Sequence, residues 1–185
     1  MQNRNYIYIL LLLIFVAACK SPEARRPVQV KSGSSVKTSV ERNKELYAAE
    51  EMVLKAIMQE DTLNNYLNSE YGFWYYYVND NTEATQTPEF GDLLEFVYDI
   101  KDIYGNTIYS KKELGKISYR MDKEEIITGL REGLKLMHEG ETITFIFPSY
   151  KAYGYYGDME RIGANMPIVS TVTLHNIENN LITKP

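Results

Sequence analysis

Residues Glu124 to Gly154 read E-E-I-I-T-G-L-R-E-G-L-K-L-M-H-E-G-E-T-I-T-F-I-F-P-S-Y-K-A-Y-G. The stretch encodes a short helix, a turn, a strand and a loop. Ile126, Ile127, Leu130, Leu134 and Met137 fall at helical spacings and form one apolar face. Gly129 and Gly133 lie four apart on that segment, and without a Cβ on two successive turns the helix can sit close to a sheet. Gly140 closes the helical pattern after His138 and Glu139. Ile143, Phe145 and Phe147 then alternate with Thr142, Thr144 and Ile146, which is strand periodicity. Pro148 has no N–H to give a ladder and ends the strand. Tyr150, Tyr153, Tyr155 and Tyr156 follow in a glycine-punctuated loop.

Strand patterns continue on both sides. Gly72 to Val78 is an aromatic run that reads as a buried first strand, with Trp74 expected inside. From Phe90 to Ile100, Leu94, Phe96, Tyr98 and Ile100 share one face, with Leu93, Glu95, Val97 and Asp99 on the other. Tyr104-Gly105-Asn106 is a turn signal. Ile108-Tyr109, Ile117 to Met121 and Pro167 to Ile177 complete the set. The expected fold class is α+β: about five antiparallel strands wrapped on one short helix.

The N-terminal part has a different character. Arg4 precedes an apolar run from Tyr6 to Ala18, too short for a membrane span, which needs about 20 residues. It reads as a signal peptide over residues 1–18. The box Val16-Ala17-Ala18-Cys19 is similar to that of bacterial lipoproteins, whose cysteine becomes the lipidated first residue. Cys19 is the only cysteine, so no internal disulfide can form. Residues 19–40 carry Pro22, Pro27, Gly33 and several serines and read as a flexible tether. A helical extension is expected over 41–70, its helix starting near Ser39 to Arg42 and fading by Asp61 to Asn65. Leu46, Ala49, Val53, Ile57 and Met58 are its packing face, opposite Glu50, Glu51, Lys55 and Gln59.

Composition excludes several functions. A net charge of −5 gives no support to nucleic-acid binding. His138 and His175 are the only histidines, with no cysteine near either, so no zinc pattern exists and no metal or other cofactor is expected. His138 is expected to face solvent near a helix end. There is no nucleophile elbow and no phosphate loop. Sixteen tyrosines suit a lined groove, or simply a β-rich core.

The ordered motifs resemble the FK506-binding family of peptidyl-prolyl cis-trans isomerases. The family's helix motif stands here as Ile126-Ile127-Thr128-Gly129-Leu130 through Met137 and Gly140-Glu141, and its strand-to-loop motif as Phe147 to Ala152-Tyr153-Gly154. The resemblance covers roughly residues 90 to 178, within an isomerase domain expected over 71–180. The leader, the helical extension and the run Gly72 to Tyr77 resemble gliding-motility-associated isomerase lipoproteins of flavobacterial-type bacteria. What this implies is a membrane-anchored protein of the cell envelope, facing the periplasm, that acts on proline-containing polypeptide clients.

The resemblance also implies the site. Tyr98 corresponds to the wall tyrosine, and Ile126 and Ile127 to the rim pair, with the Ile127 N–H holding a substrate carbonyl. Leu130 takes the floor, Tyr153 supplies a hydroxyl donor, and Ile162 is the rim isoleucine before the last strand. Departures are equally specific. Ile108-Tyr109 stands where the family has Phe-Asp, Ile117 where it has Phe, and Ser170 where it has another Phe. The cup is therefore expected to be shallower and wetter, with weak turnover, and restoring Phe and Asp at 108 and 109 is expected to raise the rate. The alternative reading is a non-catalytic FKBP-like chaperone or binding module.

Overall fold

The computed structural model describes residues 32–180. Contacts divide the chain into two units, residues 1–39 and 40–185. Cys19, the leader and most of the tether lie outside the described residues.

Eight strands form one antiparallel sheet: β1 (Leu67–Asn68), β2 (Trp74–Asn79), β3 (Leu93–Tyr98), β4 (Ile100–Lys101), β5 (Thr107–Tyr109), β6 (Ile117–Arg120), β7 (Thr142–Phe147) and β8 (Ile168–Glu178). The order is β1-β2-β7-β8-β3-β6, with β4 joining β5 to β8. The count exceeds five because the two-residue β1 is too short for a periodic signal and the single pattern Phe90 to Ile100 divides into β3 and β4. Among the described residues three helices accompany them: α1 (Ser32–Glu60), α2 (Lys111–Leu114) and α3 (Thr128–Leu134), with a 3₁₀ turn at Ser149–Lys151.

Alternation along β3 is as read. Leu94, Phe96 and Ile100 are buried while Leu93, Glu95 and Val97 are half-buried. The core side of β7 presents Ile143, Phe145 and Phe147, all fully buried. Helix α3 lies against them and is shorter than the apolar pattern, since Ile126 and Ile127 precede its first turn. Leu130 and Leu134 are its buried side chains, and Met137 is buried just beyond its end. The two glycines explain the close seat. A Cβ on Gly133 would lie 3.0 Å from Phe145 Cε1, and one on Gly129 only 2.5 Å from Phe147 Cδ1.

Trp74 departs from the expectation. Phe73 is the fully buried residue, and Trp74 is half-buried on the other face of the sheet. In an all-aromatic run, apolarity does not fix which parity faces the core.

Helix α1 begins at Ser32, before the expected start, and ends at Glu60. Residues 61–70 are not helical: Asp61 takes the Leu63 N–H (2.9 Å), Asn64 Nδ2 (2.8 Å) and Tyr66 Oη (2.7 Å), and the chain turns into β1. These bonds draw the Asp61 carboxyl down to about 2. The packing face of α1 is also rotated from the expectation. Leu54 is buried and Val53 is 48% exposed. Glu50, expected outside, faces the domain and accepts from both the Ser149 N–H and the Ser149 hydroxyl, each at 2.6 Å. A carboxylate with two partners can occupy the packed face of a helix.

His138 is half-buried rather than solvent-facing. Its Nδ1 lies 3.1 Å from Oε1 of Glu141, whose side chain is fully buried and also accepts the His138 and Asn81 N–H groups.

Candidate active site

The site is built where the start of α3, the end of β3, β5 and the loop after β7 converge. Tyr98, Ile108, Tyr109, Ile117, Ile126, Ile127 and Tyr153 are all half-buried and pack against one core cluster that contains Leu130 and Ile162. Leu130 is 1% exposed, a dry member of that core. The loop after Phe147 crosses the start of α3, as the close approach of the Lys151 carbonyl to Gly129 shows.

Three polar groups of this region have no partner among the described residues: the Tyr98 and Tyr153 hydroxyls and the Ile127 N–H. Ile127 is the N-cap of α3, with ψ of 139°, so its N–H falls outside the helical ladder. Burial raises the Tyr98 hydroxyl above its ordinary value. Burial, then the neighbouring Tyr98 and Asp158, push the Tyr153 hydroxyl up to about 12. Both phenols therefore stay protonated at neutral pH and can donate.

Two expected pocket residues are placed differently. Ile162 is 2% exposed, so it is part of the core behind the cup rather than an open rim. Ser170 is 1% exposed, and its hydroxyl donates to the Asp99 carbonyl at 2.7 Å. The serine does not wet the cup, because its polar group is already satisfied by the β3–β4 junction.

The sequence reading missed Asp158. Tyr109 does more than replace a carboxylate: its hydroxyl donates to Asp158 Oδ2 at 2.6 Å. Asp158 Oδ1 accepts the N–H groups of Glu160 (2.9 Å), Arg161 (3.0 Å) and Ile162 (2.8 Å). The Arg161 guanidinium lies 4.7 Å from the Tyr109 ring centre, donates to the Ile108 carbonyl at 3.0 Å and pairs with Glu113 at 2.6 Å. An aspartate whose side chain takes N–H groups two to four residues on is a turn signal that could have been read from Gly157-Asp158. Putting aspartate at 109 would set a second carboxylate against Asp158, so the expected gain from that change is withdrawn.

Among the described residues no group of three His, Cys, Asp or Glu side chains could hold a metal ion. The opposite face of the sheet bears two further hollows, of about 210 and 250 Å³, lined by α1 with Tyr76 and Ile146, and by Trp74 with Tyr47 and Tyr150. Neither is lined by any of the expected pocket residues.

An antiparallel sheet wrapped on a short helix is the FKBP-like fold. Residues 84–175 match the family described as FKBP-type peptidyl-prolyl cis-trans isomerase, and the domain they form belongs to that family. A probable FKBP-type peptidyl-prolyl cis-trans isomerase FkpA from Neisseria meningitidis serogroup B is 27% identical over 140 residues, 75% of this chain. The alignment takes in 50% of that protein, so the chain spans about half the length of this relative. Among solved structures, FkpA from Escherichia coli is similar in fold, with a TM-score of 0.58 at 20% identity, covering 95% of this chain and 82% of that one. A peptidyl-prolyl cis-trans isomerase from Pseudomonas syringae pv. tomato has a TM-score of 0.57 at 19% identity, over 71% of this chain and 96% of that one.

Proposed function

We propose that this chain catalyses cis–trans isomerisation of X-Pro bonds in exported polypeptides. What carries the reading is the set of unpaired donors, Tyr98 and Tyr153 hydroxyls and the Ile127 N–H, beside the dry core that holds Leu130. The amide resists rotation by about 18–20 kcal/mol because resonance places charge on its carbonyl oxygen. Apolar surroundings disfavour that charge separation and favour the twisted amide, in which resonance is lost. The Ile127 N–H would hold one substrate carbonyl and the Tyr153 hydroxyl a neighbouring one, fixing the chain on one side of the rotating bond. Lowering the barrier by about 5 kcal/mol would supply a rate gain of several thousandfold. No proton is transferred and no bond is broken, so no cofactor has a role in this scheme. Catalysed exchange on proline tetrapeptides with a large apolar residue before proline tests the proposal.

The location is part of the same proposal. The apolar run to Ala18 and the box ending at Cys19 support a lipid anchor in the cell envelope, with the domain facing the periplasm. The resemblance to gliding-motility-associated lipoproteins points to that machinery as a client. Cys19→Ser should accumulate as unprocessed or soluble protein. Unchanged membrane fractionation and acyl labelling of the variant would contradict the anchor.

A further inference from the structure

We propose that Asp158 is a positioning residue which, clamped by Tyr109, holds the loop from Tyr153 to Ile162 in the shape that forms one wall of the cup; this rests on the isomerase reading above. One carboxylate gathers four donors: the Tyr109 hydroxyl on Oδ2 and three consecutive loop N–H groups on Oδ1. The Asp158 N–H returns a bond to the Ile162 carbonyl at 3.1 Å, closing the loop on itself. The backbone is committed to that shape, because Gly157 has φ of +68° and a Cβ there would fall 2.0 Å from the Ile162 carbonyl oxygen.

Without an outside anchor such a loop could move as a unit. Tyr109 is the anchor, since it reaches from β5 to the middle of the loop. Arg161 lies over the Tyr109 ring and binds the Ile108 carbonyl, which adds a second tie between the same two segments. The arrangement accounts for tyrosine where the family motif has aspartate. The carboxylate has moved from the strand to the loop, and the strand supplies the hydroxyl that receives it. Ile162 and Tyr153, at the two ends of this loop, are the residues whose positions depend on it.

The test uses the full chain purified in mild detergent, with exchange rates of proline tetrapeptides measured by NMR and the amides of residues 160–162 followed in the same samples. Tyr109→Phe should lower kcat/KM by about threefold to tenfold, the loss of roughly one net hydrogen bond, and Asp158→Ala, which removes all four, by at least as much. The loss should appear as a higher KM with kcat nearly unchanged, because the loop shapes the cup rather than rotating the amide. The double variant should be no worse than the weaker single. Asp158→Asn keeps an oxygen for the three N–H groups and an amide for Tyr109, so it should retain most of the wild-type value. Equal rates in wild type and Tyr109→Phe, additive losses in the double variant, or an Asp158→Asn as poor as Asp158→Ala would overturn the clasp. A wild type without catalysed exchange would sink the isomerase reading instead. The clasp would then stand or fall on whether Tyr109→Phe moves the amide resonances of residues 160–162.

Discussion

Gly129 and Phe147 approach so closely that a Cβ on the glycine would lie 2.5 Å from the ring Cδ1 and 2.9 Å from the Lys151 carbonyl oxygen. The same contact seats α3 on the sheet and brings the Tyr153 loop across the helix start. At Gly133 the imagined Cβ meets only the Phe145 ring, at 3.0 Å or more.

Alanine at the two glycines should therefore behave differently. Gly129→Ala meets backbone as well as ring and should cost about 1–3 kcal/mol or more. Gly133→Ala should cost less, because a small shift of the ring relieves the contact and the helix gains about 1 kcal/mol of propensity. Urea unfolding of the two variants checks the order, and equal or reversed losses would contradict the seat described.

Glu50 and Ser149 tie α1 to the domain. Ser149→Ala should cost about 1–3 kcal/mol, since it leaves a half-buried carboxylate with one partner fewer. Hydrogen exchange over residues 46–58 should quicken more than exchange in β7. Unchanged protection of the helix would show that Leu54 alone holds it.

Much of this fold is legible in the sequence, and the exceptions share a physical cause. Leu94, Phe96 and Ile100 declare their face because the residues between them are less buried. Trp74 does not, because β2 has aromatic residues on both faces and α1 covers the second one. Glu50 hides for the same reason in reverse: hydropathy counts it as surface, and its partner lies 99 residues away. In the candidate site, Tyr98, Ile126, Ile127, Leu130 and Tyr153 are reached through the resemblance to the family, and all belong to or pack against one core cluster. The pairing of Asp158 with Tyr109 joins a loop to a strand 49 residues earlier, and no local pattern announces it.

Asp80 gives a pH prediction. Desolvation, then the neighbouring Glu141 carboxylate, raise its pKa above the ordinary 3.8. A carboxyl raised on folding binds its proton more tightly in the folded state, so it favours folding below the unfolded value and loses that advantage as pH rises through the folded one. At pH 7 the charge at Asp80 is thus a net cost. Asp80→Asn should raise the Tm at pH 7, and the gain should fade as the pH falls and vanish well below 3.8, where the wild-type carboxyl is protonated in both states. A Tm gain that is the same at both pH values would contradict the assignment.

The cup itself is tested most directly by the rate of catalysed cis–trans exchange of a proline tetrapeptide, measured for the wild type and Tyr153→Phe. The account predicts a wild-type rate above the uncatalysed one. It also predicts that Tyr153→Phe, still folded, is slower by about threefold to tenfold, as expected for one hydrogen bond worth roughly 0.5–1.5 kcal/mol. A folded wild type that leaves the exchange at its uncatalysed rate, or a Tyr153→Phe as fast as the wild type, would contradict it.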